Sequence, residues 1–116
     1  MQIKDVCLDG HQRDLVLDSI RETCAYREWR LLACHVRTNH VHVVVQAREA
    51  PEKVMTDFKA YATRALNRWE NQPGRSKRWA RHGSTQYLWD ERTVATAISY
   101  VVDEQGEPMA VFDSRK

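Results

Sequence analysis

The pattern of apolar and polar positions changes period along the chain, and the changes predict short strands between helices. Residues 40–47 (HVHVVVQA) alternate in character and are rich in β-branched valine, which is typical of a half-buried strand. Residues 30–37 predict a second strand, and the short turn-like pair at 38–39 joins the two into a hairpin. Residues 85–89 predict a further short strand, whereas residues 3–8 give only a weak strand pattern.

Three longer segments place apolar side chains at helical spacing. They cover residues 12–26, 51–69 and 91–105, and each has polar residues on the opposite side. Pro51 suits the first turn of the second helix, because its missing N–H has no partner there in any helix. Gly106 ends the third helix.

The order helix, strand, strand, helix, strand, helix predicts an α+β fold with helices packed on an antiparallel sheet. The arrangement is similar to a ferredoxin-like fold with an extra C-terminal helix, and that helix carries Tyr100. A length of 116 residues fits one domain over 1–116, and the segment after Pro108 is assigned to no element.

Composition excludes several classes of protein. Apolar residues make up 42% and charged residues 29% of the chain, a balance that is ordinary for globular domains and excludes disorder. No apolar run approaches the ~18 residues of a membrane span, and we expect no secretory signal. Cys7, Cys24 and Cys34 are odd in number and form no CxxC pair, so we expect reduced thiols and a cytoplasmic location.

The charge is unevenly distributed along the chain. Although the total is only +2, residues 51–83 hold eight basic and three acidic side chains, a net of +5 that leaves −3 for the remainder. This predicts a localised anionic partner. The side chains that we assign to nucleic-acid contact are Lys59, Arg64, Arg75, Lys77, Arg78, Trp79 and Arg81. Basic residues with an aromatic for base stacking are typical of single-strand binding, and a solvated loop is the alternative.

His40 and His42 are the sharpest chemical feature of the sequence. Residues i and i+2 of a strand point to the same face, with Cα atoms about 6.5–7 Å apart. Two imidazoles in that position can converge on one divalent cation, while Val41, Val43 and Val45 face the other side as core. The alternative is a pair of surface or half-buried histidines without a ligand, and a metal site needs a third ligand from elsewhere.

A tyrosine is the candidate nucleophile. Its free pKa near 10 means that a tyrosine attacking a phosphodiester needs a cation or a base nearby. Tyr100 lies in the last predicted helix, and Tyr61 on the middle helix is its rival. The alternative for each is a core aromatic at helical spacing.

These segments together resemble the single-tyrosine HUH transposases, including the REP-associated tyrosine transposases, over roughly residues 11–108. The strand Thr38-Asn39-His40-Val41-His42 resembles the family's histidine–hydrophobic–histidine motif, although the family usually has Pro-Asn before it. The resemblance continues through a Lys-Ala-Tyr-Ala-Thr-Arg helix at 59–64, a Trp-Ala-Arg-His-Gly-Ser-Thr loop at 79–85, a Tyr-Leu-Trp strand at 87–89 and a tyrosine-bearing helix.

The resemblance implies a role for each matching residue. Tyr100, 58 residues after His42, matches the family's nucleophile, which forms a 5′-phosphotyrosine and frees a 3′-hydroxyl. His40 and His42 match ligands of Mg²⁺ or Mn²⁺. The family's third ligand, usually an amide, stands four residues after the tyrosine; here that position is Glu104, with Gln105 as the neighbouring alternative.

The resemblance also implies partners and a main alternative. Relatives cleave and join single-stranded DNA, recognise DNA hairpins, and work as homodimers that often exchange tyrosines. The family begins with a central strand ahead of the pair, whereas only 39 residues precede His40 here and most are helical, so we expect that strand to be missing, formed by 3–8, or supplied by a partner chain. The second hypothesis is therefore a truncated or domesticated DNA-binding module without catalysis, and the third is a small metal-binding protein unrelated to DNA.

Overall fold

A computed structural model of the chain describes residues 1–2, 7–71, 78–79 and 90–116. The elements in chain order are α1 (Gly10–Arg27), β1 (Arg30–Val36), β2 (Val41–Gln46), α2 (Pro51–Glu70), α3 (Glu91–Asp103) and β3 (Ala110–Asp113). Helices pack on an antiparallel three-stranded sheet, which confirms the predicted α+β class.

The helix ends follow from local side-chain chemistry. Asp9 and Gln12 form a reciprocal capping box, so α1 begins two residues before its predicted start. Pro51 occupies the first turn of α2 as predicted. Asp90 accepts a hydrogen bond from the Thr93 amide at 2.7 Å and so caps the start of α3.

The sheet has the order β2-β1-β3, with β1 in the centre and both pairings antiparallel. The predicted hairpin is confirmed, and its register places His35 of β1 opposite His42 of β2. The N-terminus pairs with the start of β2: the amide of Val41 donates to the Met1 carbonyl at 2.7 Å, and Gln2 forms a bridge with His40. Most of the weak strand candidate at 3–8 lies outside the described residues.

Each face of the sheet has its own apolar layer. One layer joins α1 and α2 to Cys34, Val36 and Val41, with Val43 and Val45 packed against it. The other layer is smaller and joins Ala33 and Val44 of the sheet to Ile98 and Val101 of α3. The alternation in β2 therefore sends Val41, Val43 and Val45 to the α1–α2 layer. The two histidines and Val44 face α3, as the sequence predicts.

The C-terminal segment differs from the prediction. The helix expected over 91–105 ends at Asp103, and after a turn in which Gly106 has φ of +81° the chain forms β3 beside β1. The helix that carries Tyr100 is thus followed by a strand. Strand β3 has only four residues, and a strand of that length carries too little alternation to be predicted from the sequence. The strand predicted over 85–89 lies outside the described residues.

Candidate active site

The two histidines of β2 lie side by side on the α3 face of the sheet. Their ring centroids are 4.7 Å apart and the ring planes differ by 26°, so the rings are stacked. His40 stands just before the first residue of β2 and His42 is its second residue, so the extended backbone between them produces the parallel orientation. Both rings are partly exposed, and among the described residues neither has a hydrogen-bond partner. Their partial exposure leaves both rings within reach of a ligand.

Burial sets the charge state of this pair. It lowers the pKa of His40 below its ordinary value of 6.5. It also lowers the pKa of His42, to about 4, and the neighbouring His40 adds to that effect. Both rings are therefore neutral at pH 7, which is the form that coordinates metal ions.

Tyr100 of α3 lies against His42 of this pair. Its ring lies edge-on to the His42 ring, with 6.3 Å between centroids and 87° between planes. The side chain is 53% exposed, so solvent and a ligand can reach it. The structure thus brings together three residues singled out from the sequence: His40, His42 and Tyr100. The rival Tyr61 lies on α2, where its ring packs under the Arg64 guanidinium at 5.1 Å.

Glu104 and Gln105 follow directly after α3. Glu104 is the C-terminal cap residue of the helix and is exposed, and the amide of Gln105 donates to the Tyr100 carbonyl at 3.0 Å. Within the part of the chain that the structure describes, no three His, Cys, Asp or Glu side chains are close enough together to hold a metal ion. The role of Glu104 as third ligand stays a prediction, and Gln105 lies against the backbone of the tyrosine.

His35 is a residue next to the site that the sequence did not point out. It is fully buried on β1 opposite His42. Its Nε2 accepts a hydrogen bond from the Met109 amide at 3.0 Å, so the ring proton resides on Nδ1, which donates to the Val101 carbonyl at 3.0 Å. Burial also lowers the pKa of His35. A lone histidine within an apolar strand gives no sequence signal for such a role; only the strand register reveals it.

Two residues assigned to DNA contact are used inside the protein. The Arg78 guanidinium is buried and forms an ion pair with Glu70, and it donates to the Asn67 side chain at 2.7 and 3.0 Å. The indole N–H of Trp79 donates to Thr63 Oγ1 at 2.9 Å. Both side chains therefore hold residues 78–79 against α2, and DNA contact by Arg78 and Trp79 stays a prediction.

The other basic residues predicted to contact DNA either lie away from the histidine pair or fall outside the described residues. Lys59 and Arg64 are on α2, in the layer across the sheet from His40 and His42. Arg75, Lys77 and Arg81 lie outside the described residues. No described helix is long and apolar enough to span a membrane.

Comparison of the chain with known proteins identifies a family whose match includes His40, His42 and Tyr100. Neither the comparison with curated proteins nor that with solved structures gives a match. The family model described as "Transposase IS200 like" matches residues 2–104, a range that includes the histidine pair and the tyrosine helix. With most of its length matched, and with an α+β fold that agrees with this type, the chain belongs to the IS200-like family of single-tyrosine HUH transposases.

Proposed function

We propose that this transposase-family protein is a metal-dependent endonuclease and strand transferase of single-stranded DNA. In this proposal Tyr100 is the nucleophile, His40 and His42 are metal ligands, and Glu104 or Gln105 supplies the third protein ligand. Mg²⁺ or Mn²⁺ is the cofactor. The partner is DNA containing a hairpin, and the active form is a homodimer.

The observation that carries the proposal is the contact between Tyr100 and His42. A solvent-accessible phenol and two neutral imidazoles meet on one face of the sheet, although Tyr100 follows His42 by 58 positions and His40 by 60. Core packing does not account for this, because the Tyr100 side chain is half exposed while Ile98 and Val101 provide the buried contacts of α3.

The donor set fits a divalent cation. Two stacked neutral imidazoles suit Mn²⁺, and a carboxylate or amide oxygen from the end of α3 suits either Mn²⁺ or Mg²⁺. When bound, the ion would polarise the scissile phosphate and neutralise charge in the transition state.

The residues of the chain supply the covalent step. The Tyr100 oxygen attacks phosphorus, a tyrosyl O–P bond forms, and the bond from phosphorus to the 3′ oxygen breaks. The phenolic proton is balanced by the proton that the leaving 3′-hydroxyl acquires. The energy of the phosphodiester is retained in the phosphotyrosine, so the reverse attack by a 3′-hydroxyl rejoins DNA without an external energy source.

Covalent capture tests the proposal. The purified chain is incubated with Mn²⁺ and a pool of 3′-labelled single strands that carry a hairpin flanked by random sequence, and adducts are resolved under denaturing conditions. We expect a labelled adduct with the natural chain and none with Tyr100→Phe. Tyr26→Phe is the matched control, because Tyr26 is the most exposed tyrosine described and lies on α1.

Two other results would contradict the proposal. An adduct that survives Tyr100→Phe and disappears in Tyr61→Phe overturns the choice of nucleophile. DNA binding by the natural chain without any adduct supports the non-catalytic module instead.

A further inference from the structure

The end of α3 is held by side chains rather than by a turn of backbone. The last four carbonyls of a helix have no partner within it, and α3 has neither a left-handed cap residue nor a basic side chain in its last turn. The Tyr100 carbonyl accepts from Gln105 and the Val101 carbonyl accepts from His35. Two consecutive carbonyls, beginning at the tyrosine, are therefore satisfied by specific side chains.

His35 also holds the segment that returns from α3 to β3. Its Nε2 accepts from the Met109 amide at 3.0 Å, while Arg37, two residues further along the chain, donates to the Glu107 carbonyl at 2.9 Å. The connection at 104–109, which contains both candidates for the third metal ligand, is thus fixed to the sheet at two points. Both anchoring side chains come from β1 or the residue that follows it.

The register gives this anchor a location relative to the histidine pair. His35 is directly opposite His42 across the β1–β2 pairing, and its Nδ1 bonds the residue that follows Tyr100. One imidazole therefore links the strand that neighbours the pair to the helix that carries the phenol. A buried apolar side chain would fill the same volume but would leave the Val101 carbonyl and the Met109 amide without that partner.

We propose that His35 is a positioning residue, which sets the distance and orientation of Tyr100 relative to His40 and His42 through its hydrogen bonds to Val101 and Met109. The catalytic consequence rests on the proposed function. Reactions of this kind are sensitive to placement, since a shift of about 1 Å costs on the order of 100-fold in rate.

Amide substitutions separate the two bonds of His35. In His35→Asn the side-chain N–H₂ can occupy the place of Nδ1 and keep the donor to Val101. In His35→Gln the longer amide places its oxygen near the position of Nε2 and keeps the acceptor for Met109. His35→Phe fills the volume without either bond. Cys34→Ala is the matched control, because Cys34 is equally buried in β1 but points into the α1–α2 layer.

Three quantities are measured for each variant. The first is the single-turnover rate of adduct formation at saturating DNA and Mn²⁺, and the second is the affinity of the protein for DNA and for Mn²⁺. The third is the rate of amide hydrogen exchange in α3, with α2 as the internal reference. We expect His35→Phe to slow adduct formation about 100-fold with both affinities unchanged and with faster exchange confined to α3 and 104–109. His35→Asn should retain most of the rate and His35→Gln little, because the donor to Val101 is the bond nearer to Tyr100. Cys34→Ala should lower stability and leave the rate unchanged.

Two results overturn the proposal. One is a His35→Phe variant whose rate of adduct formation and whose hydrogen exchange in α3 are the same as in the unsubstituted chain. The other is an equal loss of rate in the Asn, Gln and Cys34→Ala variants, which would mark general destabilisation. If the natural chain forms no adduct, the proposed function fails, and the exchange of α3 in the Asn, Gln and Phe variants still decides whether His35 positions the helix.

Discussion

The ring of Tyr100 stands perpendicular to the ring of His42, with 6.3 Å between their centroids. The two residues come from α3 and β2, and the small layer around Val44, Ile98 and Val101 is what brings these elements together. The contact between the Tyr100 phenol and the His42 imidazole thus depends on a few apolar side chains beneath it.

Metal binding should depend on both histidines of β2. We expect His40→Ala and His42→Ala each to weaken Mn²⁺ binding at least about tenfold, because even outer-shell changes cost that much at metal sites. Free Mn²⁺ measured by electron paramagnetic resonance during titration gives the affinity. His11→Ala is the control, since His11 is exposed and its ring contacts Trp69 at the other layer. Equal affinity in all three variants would contradict the assignment of the pair.

Arg78 should contribute to stability. Arg78→Met removes a buried guanidinium from Glu70 and Asn67, and we expect a loss of about 3 kcal/mol in the free energy of unfolding. Urea denaturation followed by circular dichroism measures this loss. The matched change Arg68→Met, at an exposed position of α2, should stay within about 0.5 kcal/mol. A stable Arg78→Met variant with weakened DNA binding would return Arg78 to the DNA interface.

Most of the described fold follows from periodicity. The strand over 40–47 and the three helices were predictable because each has many residues of one period, and their ends agree with the structure within about two residues. Strand β3 was not predictable, because it has only four residues and its pairing partners in β1 lie 74 to 80 positions earlier in the chain.

The candidate site could be predicted where residue chemistry and spacing coincide in the sequence, and the roles of its residues stay predictions. His40, His42 and Tyr100 are such residues, and the structure brings them together. His35 and Arg78 were not predictable, since their importance comes from partners on other elements. A buried ion pair and a solvated basic loop look the same in a one-dimensional charge pattern.

The three thiols should differ in reactivity. Burial raises the pKa of Cys24 to about 11 and raises that of Cys34 still further, whereas Cys7 is exposed. With an aromatic disulfide reagent at pH 8, we expect Cys7 to react rapidly and the other two only after unfolding. Mass spectrometry of the labelled peptides identifies each site, and rapid labelling of Cys34 in the folded chain would contradict its burial.

The same shifts predict a loss of stability in alkali. A raised pKa means that the folded state keeps the thiol protonated, so this contribution is complete below the ordinary value of 9.0 and is lost as pH rises above it. We expect the urea midpoint to fall between pH 8 and pH 10. In Cys34→Ala the fall should be smaller, and an identical fall would assign the effect to other groups.

Arg64 should contribute to DNA affinity through charge. It is exposed on α2, and its guanidinium stacks over Tyr61. If it contacts a phosphate, Arg64→Ala lowers the slope of log affinity against log salt by about 0.7 for a single strand. Fluorescence anisotropy at several salt concentrations measures the slope. Arg30→Ala, an exposed change at the start of β1, is the control, and equal slopes in the two variants would remove Arg64 from the interface.

The short connection between α3 and β3 acts as a tether. Seven peptide steps separate Asp103 from Ala110, and a fully extended chain of that length spans at most about 25 Å. While β3 remains paired with β1, the end of the tyrosine helix is confined to a sphere of that radius around the sheet edge. An exchange of tyrosine helices between two copies of the chain must therefore keep the end of α3 within about 25 Å of β3, or must first break the pairing of β3 with β1.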